Sequence, residues 1–280
     1  MQLSLSMWSL HRTVREKGWT VLDFLSFCKS EGIGSVELLN VFWKNREAEQ
    51  DDVIRFARNN GIRIVSYAVG NNFVSESAEE RETALKEITD AFPVAKAMGA
   101  SVIRVFSGNL REGIDYETAL GWIVDGLSKA ARQAEAEGLT LCLENHGKLA
   151  GKGSQVKTII ERVGSKALRS TFDTGNFLLV DEHPAESIEV LLKYIGHVHV
   201  KDFKEQPGGR YKSLAGKTFE GVAAGEGDTR LKHLLTRLVE SGYRGAYVLE
   251  YEGLGDEAEG VRKCYRFFRE FAGEKGEQGQ

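Results

Sequence analysis

The sequence predicts a single (β/α)8 barrel of the TIM type, and three observations carry this prediction. The chain has 280 residues, close to the roughly 250 residues of one such barrel. Short apolar runs typical of buried strands alternate with segments of helical periodicity. Several of these strands follow a glycine that can end a helix in the left-handed conformation, as in NNGIRIVSYA and EGLTLCLEN. An open doubly wound sheet is the structural alternative, but no glycine-rich phosphate fingerprint follows the first strand, where the chain reads SLHRTVREKG.

The predicted elements follow one another with few residues left over. The strands cover residues 2–7, 35–39, 62–68, 101–106, 139–144, 169–173, 196–200 and 246–251. The helices cover residues 20–31, 47–60, 76–98, 115–137, 154–163, 184–194, 229–241 and 257–272. We expect one domain over residues 1–280, with a long loop at about 203–228 after the seventh strand and a frayed polar tail at about 273–280.

The composition argues against several classes of protein. A net charge of −4 indicates no general affinity for nucleic acid or anionic membranes. The N-terminal MQLSLSMWSL lacks the basic region of a signal peptide. The cysteines, Cys28, Cys142 and Cys264, are too far apart for a zinc motif and are interpreted as reduced thiols. We expect a cytoplasmic protein that binds neither nucleic acid nor membranes, and the sequence leaves a homo-oligomer open.

Acidic residues end three of the predicted strands. Glu144, Asp173 and Glu250 follow apolar runs, and the carboxyl ends of barrel strands converge on one mouth. Three carboxylates there would repel one another and raise each other's pKa, which a divalent cation would offset. His199 at the end of the seventh strand adds a nitrogen ligand. This ligand set suits one ion of Mn, Co, Mg, Fe or Zn, with positions left for substrate oxygens.

Each of these residues also has a simpler interpretation. A single glutamate at a strand end is usually a cap or an ion-pair partner, and His199 alone is more often a hydrogen-bonded residue of the rim. His197, two residues earlier, points to the same face one layer deeper. We interpret it as a core residue or as a partner behind the ligands. The combination on four strands is more specific than any of its members.

Five motifs, LENHG, FDTGN, HVHVKD, GEGD and VLEYEG, together resemble the xylose isomerase-like TIM barrel superfamily. The resemblance is closest to its sugar phosphate isomerase/epimerase group and covers essentially the whole chain. It implies that Glu144, Asp173, His199 and Glu250 hold the metal. It also implies that two of these ligands, Glu144 and Glu250, act as the catalytic acid and base.

The activity that the resemblance implies is a metal-dependent isomerase or epimerase of a sugar, sugar phosphate or keto-sugar. Such an enzyme removes a proton next to a carbonyl and passes through a metal-stabilised enediolate. A dehydratase or lyase acting on an inosose or keto-sugar shares that step and is the alternative. An endonuclease IV-like nuclease and a metal-free binding protein are less favoured classes.

Several positions depart from the motifs of particular members. Asn176 stands where ketose 3-epimerases carry histidine, and Ala150 stands where they carry a substrate-binding glutamate. Tyr67 and Ser107 occupy strand ends where the three-zinc nuclease needs histidines. A close tagatose or psicose epimerase and a multi-metal nuclease are therefore not supported.

Polar and aromatic residues near the mouth are the candidates for contact with a carbohydrate. The aromatic ones are alternatively explained by barrel packing, the basic ones by solvated loop charge, and Glu226 by the dipole of the next helix. The predicted substrate-binding residues are Trp8, His11, His146, Asn176, Lys201, Arg210 and Glu226.

Overall fold

Eight parallel strands close into a barrel in the computed structural model of the chain, which describes residues 2–277. This confirms the predicted (β/α)8 fold. The barrel strands are β1 (Leu3–Ser6), β2 (Ser35–Leu39), β3 (Arg63–Ala68), β4 (Val102–Val105), β5 (Thr140–Glu144), β6 (Leu168–Asp173), β7 (Ile195–Val200) and β11 (Tyr247–Leu249). Their order around the barrel is β1-β11-β7-β6-β5-β4-β3-β2.

Helices surround the barrel and alternate with its strands. They are α1 (His11–Lys17), α2 (Val21–Ser30), α3 (Arg46–Asn59), α4 (Ala78–Thr89), α5 (Ala91–Ala97), α6 (Tyr116–Ala136), α7 (Gly153–Val163), α8 (Pro184–Leu191), α9 (Leu231–Glu240) and α10 (Glu257–Glu277). None of the helices formed by residues 2–277 is long and apolar enough to cross a membrane.

Two helical segments differ from the prediction. The helix expected over 76–98 is divided into α4 and α5, and Pro93 lies in the first turn of α5. Proline lacks an amide hydrogen and its ring clashes with the preceding turn, so one continuous helix is disfavoured there. Helix α1 was not predicted, because its seven residues bury only Val14 and leave no apolar period to detect.

Burial of apolar side chains holds the strands and helices together. Strands β2 and β5 are almost completely buried, and their leucines and valines join one core with the inner faces of the helices. Left-handed glycines turn the chain from helix back to strand, as at Gly61 (φ 65°) and Gly138 (φ 71°). The result is a parallel barrel whose strand ends are fixed in position by packing on both faces.

The segment expected as a long loop contains a small antiparallel sheet. Strands β8 (Asp202–Glu205), β10 (Thr218–Val222) and β9 (Tyr211–Lys212) pair in that order. We call them the lid sheet. Its strands have two to five residues and are separated by turns such as Gln206-Pro207-Gly208-Gly209, so they show too little periodicity to be recognised in the sequence.

Helix α10 extends to Glu277, so it includes residues 273–277 of the segment for which a frayed tail is predicted. Residues 278–280 lie outside the described residues.

Candidate metal centre

Four side chains meet at the carboxyl ends of the barrel strands. Glu144 and Asp173 end β5 and β6, His199 lies near the end of β7, and Glu250 directly follows β11. One ligand atom from each lies within 4.8 Å of the others. All four are at most 4% exposed, so the barrel brings together the four predicted ligands in a site shielded from solvent.

The two carboxylates on β5 and β6 are each held through one oxygen. The amide nitrogen of Asn176 donates to Glu144 Oε1 at 3.0 Å. Asp173 Oδ1 accepts from the backbone amides of Gly175 and Asn176 at 2.8 and 2.9 Å. These bonds leave the second oxygen of each carboxylate, Glu144 Oε2 and Asp173 Oδ2, available to the shared site.

The other two predicted ligands are held in the same way. Glu250 Oε2 lies 2.9 Å from the ammonium of Lys201, while Glu250 Oε1 lies 3.3 Å from His199 Nδ1. On the far side of its ring, His199 Nε2 lies 3.3 Å from the Glu37 carboxylate. Each of the four side chains therefore has one anchored atom and one atom that faces the others.

The atoms that face one another fit a divalent cation. Glu144 Oε2, Asp173 Oδ2 and His199 Nδ1 are buried and form no hydrogen bond of good geometry among the described residues, although Arg104 Nε and Lys201 Nζ each lie 3.2 Å from one of the two oxygens. A buried polar atom with incomplete hydrogen bonding is costly, and three such atoms around one point favour a shared ligand. Three carboxylates and one imidazole nitrogen are a donor set that divalent ions accept. The residues present therefore fit one divalent ion.

The charges around the site also favour a cation. Five carboxylates in this region lie within ion-pair distance of His197, His199 or Lys201. They are Glu37, Glu144, Asp173, Glu250 and Glu252. Among residues 2–277, the permanent cations that form ion pairs with them are Lys201 and Arg104. This leaves an excess of negative charge in a buried place, which a doubly charged ion would reduce.

The pKa shifts of the clustered side chains indicate the same excess of negative charge. Burial and the charges of Glu250 and Asp173 raise the pKa of Glu144 to about 7. Burial also raises the pKa of Asp173, although Lys201 opposes it. Burial lowers the pKa of the His199 imidazole, but the surrounding carboxylates outweigh burial and hold that pKa well above its ordinary value. These directions share one cause, an excess of carboxylates over cations in a buried place.

Lys201 contacts the cluster directly, and the lid sheet contacts the adjacent Glu252. The Lys201 ammonium lies 3.2 Å from Asp173 Oδ2 and 2.8 Å from Glu252 Oε1. Glu252 also accepts hydrogen bonds from the Trp8 indole at 3.2 Å and from the Tyr211 hydroxyl of β9. The lid sheet is thus connected to the ligand region through one glutamate.

The other predicted substrate-binding residues divide into two groups. His11 stacks on Trp8 with ring centroids 4.7 Å apart, and His146 packs on Phe106 at 4.8 Å. Both rings belong to strand-end segments at the mouth. Arg210 is paired with Glu220 within the lid sheet.

Two predicted residues have placements that favour other roles. Glu226 is exposed and lies outside the four-residue cluster. Both contacts of the Asn176 amide nitrogen are to protein, at Glu144 Oε1 and the Asn145 carbonyl. This placement favours holding Glu144 over touching a substrate.

The sequence analysis gave no role to two charged residues that contact the ligands. Arg104 lies within β4, and its Nε is 3.2 Å from Glu144 Oε2. Glu37 lies within β2 and contacts His199. In both cases a charged residue interrupts an apolar strand, in VIRVF and SVELL. Since a buried charge needs a partner, that interruption was the available signal.

Cavity size does not identify the site. A cavity of about 760 Å³ is lined by the amino-terminal residues Ser4, Arg63 and Val102 of three strands, together with Tyr247. It lies at the end of the barrel opposite the clustered carboxylates. The buried titratable groups cluster instead at the carboxyl end of the barrel, the end at which barrel enzymes have their active sites.

One tight ion per chain is expected when protein stripped with a chelator is reconstituted with Zn²⁺ and analysed for metal. Stripping should leave the far-UV circular dichroism largely unchanged, because the apolar core closes the barrel without the four ligands. Global unfolding on stripping, or the absence of bound metal after reconstitution, would contradict this assignment.

The sequence is similar to those of known barrel proteins. A family model described as xylose isomerase-like TIM barrel matches residues 25–271. The uncharacterized protein YihM of Escherichia coli (strain K12) is 29% identical over 185 residues, which are 64% of this chain and 52% of YihM. The alignment thus spans about half the length of that relative. Inosose dehydratase of Yersinia enterocolitica is 27% identical over 220 residues, which are 69% of this chain and 73% of that protein.

Solved structures show the same fold at low sequence identity. A D-tagatose 3-epimerase-like protein superposes with a TM-score of 0.80 at 20% identity, covering 100% of both chains. The IOLI protein, solved with a zinc atom, superposes with a TM-score of 0.78 at 16% identity, covering 97% of this chain and 98% of that one. At these identities the likeness concerns the fold alone.

Proposed function

The chain belongs to the xylose isomerase-like TIM barrel family, and we propose that it is a divalent-metal-dependent isomerase or epimerase. Its substrate would be a sugar or sugar derivative with a carbonyl group, and it would act in the cytoplasm. The observation that carries the proposal is the buried cluster of Glu144, Asp173, His199 and Glu250 at the barrel mouth. The IOLI protein, which has the same fold, was solved with a zinc atom, and this supports the proposal that the chain binds a divalent ion.

The ion would supply Lewis acidity, which draws charge from a carbonyl oxygen and makes the neighbouring C–H more acidic. The proton transfers belong to the protein. Glu144 and Glu250 end strands that are separated by two others, β6 and β7, so they enter the site from different directions. One would take the proton from the carbon, and the other would return it to the opposite face or to the adjacent carbon.

The remaining residues of the mouth would bind and shield the substrate. Trp8, His11 and His146 present ring faces and edges there, and aromatic walls pack well against the C–H faces of sugars. Desolvation by the surrounding protein atoms and the charges of Lys201 and Arg104 lower the pKa of His146 to about 4, while part of its side chain remains accessible to a substrate. Near neutral pH it would therefore offer an uncharged hydrogen-bonding edge to a hydroxyl group.

A dehydratase is the second candidate, and the names of the relatives favour it. Several curated relatives at 26–29% identity are called inosose dehydratase. Proton removal next to a carbonyl is common to both reactions, and loss of a hydroxyl from the next carbon would replace the return of the proton. A three-metal nuclease has less support, because the ends of β3 and β4 offer Tyr67 and Ser107, which are poor metal ligands.

Solvent exchange distinguishes these candidates. Protein loaded with Mn²⁺ is incubated in deuterated water with a panel of ketoses, keto-sugars and inososes, and the products are examined by NMR and mass spectrometry. We expect deuterium at one carbon next to the carbonyl of the substrate. Retention of all oxygens would identify an isomerase or epimerase, and loss of water a dehydratase. No exchange into any member of the panel by metal-loaded protein would contradict the proposed function.

A further inference from the structure

A buried glutamate lies behind the ligand cluster and contacts two histidines. Glu37 on β2 is 0% exposed. Its Oε2 lies 3.1 Å from His197 Nε2 and 3.3 Å from His199 Nε2. The Ser66 hydroxyl donates to the same oxygen at 2.8 Å. Two imidazole nitrogens and one hydroxyl thus converge on one oxygen of a fully buried carboxylate.

We propose that Glu37 is a positioning residue that fixes the tautomer of His199 for metal binding. A carboxylate only accepts hydrogen bonds, so the imidazole nitrogen that faces it must carry the proton. With Nε2 protonated, His199 presents the lone pair of Nδ1 to the ligand cluster. This inference rests on the metal site of the proposed function and adds a residue that holds that site in its binding form.

The position of His199 Nδ1 agrees with this role. It lies 3.3 Å from Glu250 Oε1, 3.5 Å from Glu144 Oε2 and 4.0 Å from Asp173 Oδ2. The nitrogen that would bind the ion therefore points at the three carboxylates, and the opposite nitrogen points at Glu37. A carboxylate behind a metal-bound histidine fixes the ring and makes it a stronger ligand.

His197, two residues before His199 on β7, contacts both His199 and Glu37. Its ring meets that of His199 edge to face, with centroids 5.2 Å apart, and its Nε2 shares the Glu37 oxygen. Glu37, His197 and His199 alternatively have the composition of a second metal site. Metal content distinguishes the two interpretations, because a histidine nitrogen that donates a proton to Glu37 cannot also bind an ion.

The tautomer can be read directly from the unaltered protein. Protein labelled with ¹⁵N-histidine is loaded with Zn²⁺, and long-range ¹⁵N–¹H correlations report which nitrogen of each ring carries a proton. We expect His199 to carry its proton on Nε2 and zinc on Nδ1. Its signals are identified by their loss in His199→Asn. Zinc on Nε2, or a proton on Nδ1, would overturn the proposal.

A variant tests how much Glu37 contributes. Glu37→Gln keeps the shape but places an amide NH₂ near His199, which favours the wrong tautomer and removes the negative charge. Competition with a chelator should show zinc binding weakened by about 10- to 100-fold, as is typical when the partner of a metal-bound histidine is lost. The matched control is Ser35→Ala, at a position on the same strand as Glu37. It removes a buried hydrogen bond between Ser35 and Ser4 of β1 and should leave zinc affinity unchanged.

The outcomes separate this inference from the proposed function. If the unaltered protein binds no zinc, the metal-dependent function and the role of Glu37 both fail. If it binds zinc and Glu37→Gln binds it equally well, only the role of Glu37 is refuted. Two tight zinc ions per chain would also refute it, since His199 would then bridge two metals. If Glu37→Gln does not fold, the NMR result on the unaltered protein decides.

Discussion

Glu144→Gln and Glu250→Gln are each expected to lower turnover by at least about 100-fold, the usual effect of removing a general acid or base. Glutamine keeps an oxygen ligand and the side-chain shape but cannot exchange a proton. Metal should therefore be partly retained in both variants, so the loss falls on proton transfer. Steady-state kinetics and metal analysis of the same preparations test this expectation.

The two variants should differ when they are incubated with substrate in deuterated water. One variant keeps the base, and it should still exchange deuterium into the substrate without completing the reaction. The glutamate that is replaced in that variant is then the acid. Glu182→Gln is the matched control, because Glu182 is a half-buried carboxylate that accepts from the Gly153 amide outside the cluster. It should turn over substrate like the unaltered protein. Near-normal turnover by both metal-loaded cluster variants would refute the assignment.

Asp173→Ala and His199→Ala are expected to lose the tight ion, and with it the activity. Alanine removes the ligand atom, and its methyl group cannot bind the ion. Removing the partner of a ligand typically weakens metal binding by about 10- to 100-fold, so removing a ligand should cost at least as much. Chelator competition with Zn²⁺ measures the affinity, and circular dichroism confirms that the barrel is intact. A folded variant that binds zinc as tightly as the unaltered protein would show that its residue is not a ligand.

The surroundings of the four ligands explain why these substitutions should act differently. Glu144 and Glu250 each have a second partner, Asn176 and Lys201, that would hold a glutamine in the same orientation. Asp173 is fixed by backbone amides, and His199 by Glu37. Alanine discards these contacts together with the ligand atom.

The lid sheet shows where local pattern was insufficient. Its pairing depends on residues far apart in the sequence, for example Gly221 opposite Phe203. Asp202, the first residue of β8, fixes the GEGD turn that follows the sheet, since its carboxylate accepts from the amides of Gly225 and Gly227. The motif was visible in the sequence, but the residue that fixes its shape was not, because the two segments meet only in the folded chain.

The sequence by itself determined the barrel and the positions of the four clustered residues. Both depend on local properties: an alternation of apolar strands and amphipathic helices, and acidic or imidazole side chains directly after apolar runs. In a parallel barrel all strand ends of one kind meet, so local position was enough to bring Glu144, Asp173, His199 and Glu250 together.

Only the tertiary structure decided which groups hold those four side chains. Arg104 contacts Glu144 from the neighbouring strand, while Glu37 reaches His199 from across the barrel. Asn176 is likewise committed to Glu144. Such contacts depend on barrel closure, strand register and side-chain depth, and these are set by packing over the whole molecule. A charged residue inside an apolar strand shows that a partner must exist, but only the folded chain shows which partner it is.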